Sequence, residues 1–169
     1  MMLITGVVAA SILIVAVLPI IWNMVGTFSS ASAATDKSMR TDFKIVTTYA
    51  KYLSSPPSPA GVNVTVWMKN IGTARIGKSE IESADVYVGK SDSFTRATRS
   101  TVSLFKPASS QWWYTIWDVG TTNNYWDPGE TLQVDAFYPF SATWYSSYTT
   151  YFQFTLPSGV SRSEEFTAI

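Results

Sequence analysis

No charged side chain occurs before Asp36, and that run constrains the molecule more than any other feature of the sequence. From Met1 to Phe28 it reads MMLITGVVAASILIVAVLPIIWNMVGTF, apolar almost throughout. About 20 apolar residues suffice to cross a bilayer core as a helix. A helix that is apolar on every side must be surrounded by lipid or by protein. Three readings compete. A cleaved secretory signal would use Ala31-Ser32-Ala33 as its processing site, but the positive n-region is missing and the apolar stretch exceeds a usual h-region. A plain membrane anchor is the second. The third is a pilin-like helix, which sits in the membrane and then packs with its copies into a filament core.

Details lean toward the third reading. Gly6 and Ala10 are spaced as small-xxx-small, with Ala9, Ala16 and Gly26 nearby, which lets helix backbones approach closely. Gly and Ala are also common in any membrane helix. Pro19 removes a backbone hydrogen bond and should kink or loosen the helix. The Ser/Ala/Thr stretch from Ser29 to Thr35 has the propensity to carry the helix on to about Arg40. Residues 1–41 are thus expected to form the helical element.

Beyond it, composition excludes whole classes of function. Cysteine and histidine are both absent. There can be no disulfide framework, no Cys–His or Ser–His nucleophile, and no ordinary structural zinc site. The 12 cationic and 12 anionic side chains balance to zero net charge, with no basic block of the kind phosphates demand, so nucleic acid is not an expected partner. No Gly-x-x-x-x-Gly-Lys-Ser/Thr loop is present, so any motor must be another protein. No cofactor is expected, and the chain reads as a structural protein rather than an enzyme.

Residues 42–169 change from an apolar run to alternation. Val62, Val64, Val66 and Met68 point one way while Asn63, Thr65, Trp67 and Lys69 point the other, which marks a half-buried strand. Similar strands are expected near 43–49, 81–88, 100–105, 112–118, 131–138, 148–156 and 160–167. Turn chemistry separates them: the proline loop 54–61, Asn70-Ile71-Gly72, Gly89, and Asp127-Pro128-Gly129-Glu130. All but two of the 25 aromatics lie in this part, where they suit sheet faces. About eight short strands predict an all-β head, an antiparallel immunoglobulin-like β-sandwich.

Several runs here resemble archaeal flagellins (archaellins), and most of all the family of archaellum-associated protein G. They are Asp42-Phe43-Lys44-Ile45-Val46 after the uncharged helix, the strand from Val64 to Lys69 ending in Asn70-Ile71-Gly72, Ile81 to Gly89 with its Ser-Ala-Asp-Val-Tyr-Val-Gly, and Trp126-Asp127-Pro128-Gly129-Glu130-Thr131. The resemblance implies an archaeal-surface protein whose basic leader is removed by a prepilin-peptidase-type enzyme. Its helix would then pack into a filament with β heads outside. Implied partners are copies of the chain or other archaellins, the membrane before assembly, and a surface-layer protein. No basic leader precedes Met1, which leaves open whether one was removed. Thr5 stands where many pilin-like helices carry a glutamate, so register cannot rest on that charge.

Few other residues suggest chemistry. Asn63-Val64-Thr65 is the chain's only permitted Asn-x-Ser/Thr triplet, a candidate N-glycosylation site on the outward face of its strand. Asp118, Asp127 and Glu130 are carboxylates of the kind calcium takes, but no EF-hand-like spacing joins them and turn chemistry accounts for them, so no metal site is expected. Gln111-Trp112-Trp113-Tyr114 with Trp117 would suit a carbohydrate platform, although core and inter-subunit packing explains the same residues. Glu164 and Glu165 are adjacent on a strand and face opposite ways, unlike a glycosidase pair. The sequence is read as an archaellum filament subunit in the cell exterior. Its alternatives are a low-copy accessory protein at the filament base or cell wall, and a membrane-anchored adhesin.

Overall fold

The computed structural model describes residues 2–53, 60–101, 109–117, 123–139 and 149–168, with side chains from residue 14 onward. The chain forms two compact units, residues 1–39 and 40–169.

The first unit holds all but the last residue of α1, Met2–Arg40, an uninterrupted helix of 39 residues. Pro19 lies inside it. Its missing N–H deprives the Val15 carbonyl, one turn earlier, of the usual donor. The hydroxyls of the second half turn back onto the helix. Thr27 Oγ1 donates to Asn23 O at 2.8 Å, Ser30 Oγ to Thr27 O at 3.0 Å, and Thr35 Oγ1 to Ala31 O at 2.9 Å. The Ser/Thr stretch therefore needs no outside partner for these donors, which suits an apolar environment. Among the described residues, Ile14–Arg40 is one stretch long and apolar enough to cross a membrane.

The second unit is a β-sandwich. Strands β1 (Phe43–Leu53), β2 (Gly61–Asn70), β8 (Thr131–Pro139) and β6 (Gln111–Trp117) form one layer. Strands β5 (Ser93–Arg99), β4 (Asp85–Lys90), β9 (Thr149–Thr155) and β10 (Ser161–Thr167) form the other. A two-residue ladder, β3 (Ile76–Gly77) with β7 (Tyr125–Trp126), sits apart from both. Between the layers, Val62, Val64, Val66, Met68, Trp112, Leu132 and Val134 meet Val86, Val88, Ala97, Phe152 and Phe154. Edge-on ring contacts knit this core, Phe154 meeting Phe43 at 5.6 Å and Trp112 at 6.2 Å between centroids. The layers come together again at β1 and β10, where Arg162 pairs with Asp42.

The alternation expected for 62–69 is present residue by residue, because β2 is flanked by β1 and β8 and buries one face only. In β1 a bulge between Ile45 and Thr47 changes the phase: Phe43 is buried before it, Ala50 after it, and Val46 is left exposed. In β8 both Ala136 and Phe137 are buried. A Cβ on Gly61 would lie 2.4 Å from the Phe137 ring, so the ring covers a glycine where no side chain fits.

Three expectations are corrected, and one contact is added. The strand expected over 81–88 begins late, because Lys78–Glu82 form the short helix α2 and the strand is Asp85–Lys90. Glu80 Oε2 accepts the Gly77 N–H at 2.8 Å and Ile81 is fully buried, which together hold that turn. Gly89 does not end the strand but lies within it, where a Cβ would meet Phe94 Cα at 2.6 Å. The strand expected over 100–105 is found earlier, at Ser93–Arg99, and 102–105 fall outside the described residues. The sandwich is antiparallel except at β5–β6, a parallel contact through Thr98–Gln111 and Arg99–Trp112.

Candidate assembly surfaces

Every large apolar side chain of α1 from Ile14 to Phe28 is exposed in the single chain. Such a surface cannot stand in water; lipid or other protein must cover it. At 100° per residue, Gly6 and Ala10 fall on one side, Ala9 and Ala16 on a second, and Pro19 and Gly26 on a third. The small residues therefore do not form one seam. Nothing lies within 4 Å of a Cβ placed on Gly26, so the chain itself has no need of glycine there.

The start of the head is fastened by one buried amide. Asn70 Nδ2 donates to Ala74 O at 3.0 Å and to Trp126 O at 2.9 Å, while its Oδ1 accepts the Gly72 N–H at 3.0 Å. Its backbone N–H donates to Glu130 O, and its carbonyl accepts from the Gly129 N–H. The same loop grips the first residues of the head, since Arg40 O accepts from Thr73 and Ala74 and Asp42 O accepts from Ile71 and Gly72. A Cβ on Gly72 would meet Arg40 O at 2.4 Å, hence glycine. The runs 70–72 and 126–131, distant in sequence, are thus two halves of one clasp.

Asp127 and Glu130 belong to that clasp. Glu130 Oε2 accepts the Asp127 N–H at 2.8 Å, and Arg75 Nη2 donates to Asp127 Oδ2 at 3.0 Å. The Arg75 hydrogen bond, opposed by some burial, holds the Asp127 carboxyl below its ordinary range. Asp118 lies outside the described residues, and no group of three metal-type ligands occurs among those described.

Alternation divides the aromatic run of β6. Trp112 and Tyr114 enter the core, Gln111 and Trp113 are half-buried on the other face, and Trp117 is exposed with its Nε1 donating to Gln133 at 3.0 Å. Asn63 is exposed between Lys51 and Phe137 in the register. Glu165 accepts from Ser91 Oγ at 2.6 Å, a contact that Glu164 does not share.

No family model matches the chain. An uncharacterised protein of Archaeoglobus fulgidus is 26% identical over 133 residues, 79% of this chain and 74% of that protein. The solved archaeal flagellum of Methanospirillum hungatei strain JF1 is similar over 99% of this chain and 89% of its own, with a TM-score of 0.62 and 13% identity. The chain has the archaellin fold. The archaellum periplasmic stator protein FlaG from Sulfolobus acidocaldarius is similar over 75% of this chain and 99% of its own, at TM-score 0.48 and 18% identity.

Within this archaellin fold one polar cluster had no signal in the sequence. Glu82 Oε1 accepts from Arg99 Nη1 and from the Tyr114 hydroxyl, both at 3.2 Å. Burial, reinforced by the Glu82 charge, pushes the Tyr114 phenol up to about 12. The three residues come from α2, β5 and β6, and only the topology brings them together.

Proposed function

We propose that the chain is a structural, non-catalytic subunit of the archaellum that polymerises through α1 and carries its sandwich on the outside of the cell. The observation that supports this best is a helix of 39 residues, uncharged as far as Thr35, joined to a β head, with a likeness to an archaeal flagellum that takes in 99% of the chain. Small residues on three sides of α1 suit a helix contacted by several copies rather than by one. Leaving lipid gives little hydrophobic gain, because tails are as apolar as Leu; close packing of these helices must supply the specificity. Before assembly the same helix rests in the membrane.

The test is electron microscopy of the full chain, natively produced, together with its copy number in isolated filaments. Ordered filaments with a helical core, built mainly of this chain, are expected. A chain that stays in the membrane, or occurs at a few copies per filament, would overturn the filament reading in favour of an accessory component.

A further inference from the structure

Beside β6, beyond the point where its pairing with β5 ends, lies an open cleft of about 500 Å³ bordered by α2, β5 and β6. That volume falls in the range of small-ligand sites, about 300–1,000 Å³. Its lining includes Lys78, Glu82, Arg99, Trp113, Tyr114 and Asn124. Four properties narrow what fits. The Trp113 indole stacks beside the Tyr114 ring, at 26° and 6.1 Å between centroids, and offers a flat apolar wall. Glu82 spends Oε1 on Arg99 and Tyr114, while its Oε2 has no partner among the described residues and is left to accept a hydroxyl. Glu82 and Arg99 compensate each other, so the exposed Lys78 ammonium, also without a partner among the described residues, leaves one positive charge over. The exposed Asn124 amide can both donate and accept.

These demands exclude most ligand classes. A purely apolar ligand would leave the Glu82 oxygen and the Lys78 ammonium unmatched. A phosphate dianion calls for more than one spare cation or a nest of backbone N–H groups. A pyranose ring has an apolar C–H face and a rim of hydroxyls, and a hexuronate adds a single carboxylate. We propose that this cleft binds an acidic sugar residue of the hexuronate class within an extracellular glycan. Trp113 stacks on the C–H face, Glu82 Oε2 accepts from ring hydroxyls, Asn124 reads a hydroxyl, and Lys78 pairs with the carboxylate. The proposal needs the head to be outside the cell but does not need the chain to polymerise.

The experiment is calorimetric titration of the full chain in detergent micelles with oligogalacturonate and oligoglucuronate, against a neutral galactose oligomer and a poly-glutamate peptide. Saturable binding of at least one uronate oligomer is expected, about tenfold weaker in Lys78→Gln and abolished in Trp113→Ala, with the neutral oligomer at least tenfold weaker and no binding of the peptide. Lys78 is exposed, so its variant keeps the test valid if Trp113→Ala fails to fold. The proposal is overturned if neither uronate binds at millimolar concentration, if the peptide or neutral oligomer binds as well, or if Lys78→Gln binds like the parent protein.

Discussion

Trp22 and Phe28 of α1 are 70% and 77% exposed, whereas Trp112 and Trp126 of the head are 1% and 0% exposed. One chain thus treats the same residue types in opposite ways. In the head, the apolar groups of the two inner faces find each other within the chain, and that core is complete once the two layers close. In α1 they find nothing, and backbone bonds with inward-turned hydroxyls satisfy only the polar atoms. The difference teaches where assembly energy can come from: the head is finished, and the helix is not. Changes in the two regions should therefore fail in different assays.

The largest expected effect breaks assembly alone. Gly6→Leu or Ala10→Leu should abolish ordered filaments while leaving membrane insertion and the thermal melting of the head unchanged. Filaments of normal yield from both variants would remove close helix packing from the account. The converse change is Trp112→Ala, which empties a fully buried site between Phe154 and the β6–β8 ladder. It should cost the head about 3–5 kcal/mol in chemical denaturation and leave membrane insertion untouched. A variant that loses insertion along with head stability would show that the two regions do not fail separately.

What could be read in the sequence follows the same division. The helix was legible as far as Thr35 because a missing charge is a property of composition and needs no partner, and the propensity of the Ser/Ala/Thr stretch carried it on to Arg40. Strand β2 was equally legible, since one buried face imposes period two. Where burial depends on a bulge or on a neighbouring ring, the period fails: Val46 and Phe137 both sit against their expected sense. The turn at 78–82 was hidden because Ile81 is apolar and β-branched like the valines of the strand that follows, although it is out of phase with the buried Val86 and Val88. The clasp was half legible. Asn70-Ile71-Gly72 and Asp127-Pro128-Gly129-Glu130 read as turns, but that one Asn70 amide would tie both together required the fold. The Glu82–Arg99–Tyr114 cluster gave no signal at all, because its members lie 17 and 32 residues apart.

Within the head, smaller effects grade the clasp. Asn70→Ala leaves the carbonyls of Ala74 and Trp126 without the amide donor, while the Gly72 N–H keeps Asp42 O. A loss of about 2–3 kcal/mol in denaturant unfolding is expected, at the upper end for one group because two acceptors lose their donor together. A loss indistinguishable from an exposed Asn substitution would mean that the backbone bonds alone hold the loop. Asp127→Asn should do less, since its ion pair with Arg75 is solvent-exposed. Its carboxyl is held below the ordinary value, so the stabilisation is fully present above the unfolded carboxylate pKa and is lost as pH falls through the lowered folded one. The parent protein should therefore lose its small advantage over Asp127→Asn on acidification below about pH 4. An advantage that instead grew on acidification would contradict this assignment.

The smallest effect on the fold is expected at Asn63, and it tests what the outside of the head meets. Asn63 lies on the outer face of β2, exposed, while its neighbours Val62 and Val64 fill the core. Asn63→Gln removes the acceptor of the chain's single Asn-x-Thr triplet but keeps an amide in a position that the core does not use. Stability should therefore stay within about 0.5 kcal/mol of the parent. If a glycan is carried there, intact mass spectrometry of protein from the native, glycosylation-competent cell will show the substitution lowering the mass by one glycan, with assembly preserved. A second outcome is equally readable. Should this face pack against another head, a glycan would have no room, the parent would show its bare mass, and the substitution would disturb filament order instead. An unmodified Asn63 in such a cell would end the glycan assignment. The register of β2 would be unaffected by that result, because it rests on the buried valines and not on the asparagine.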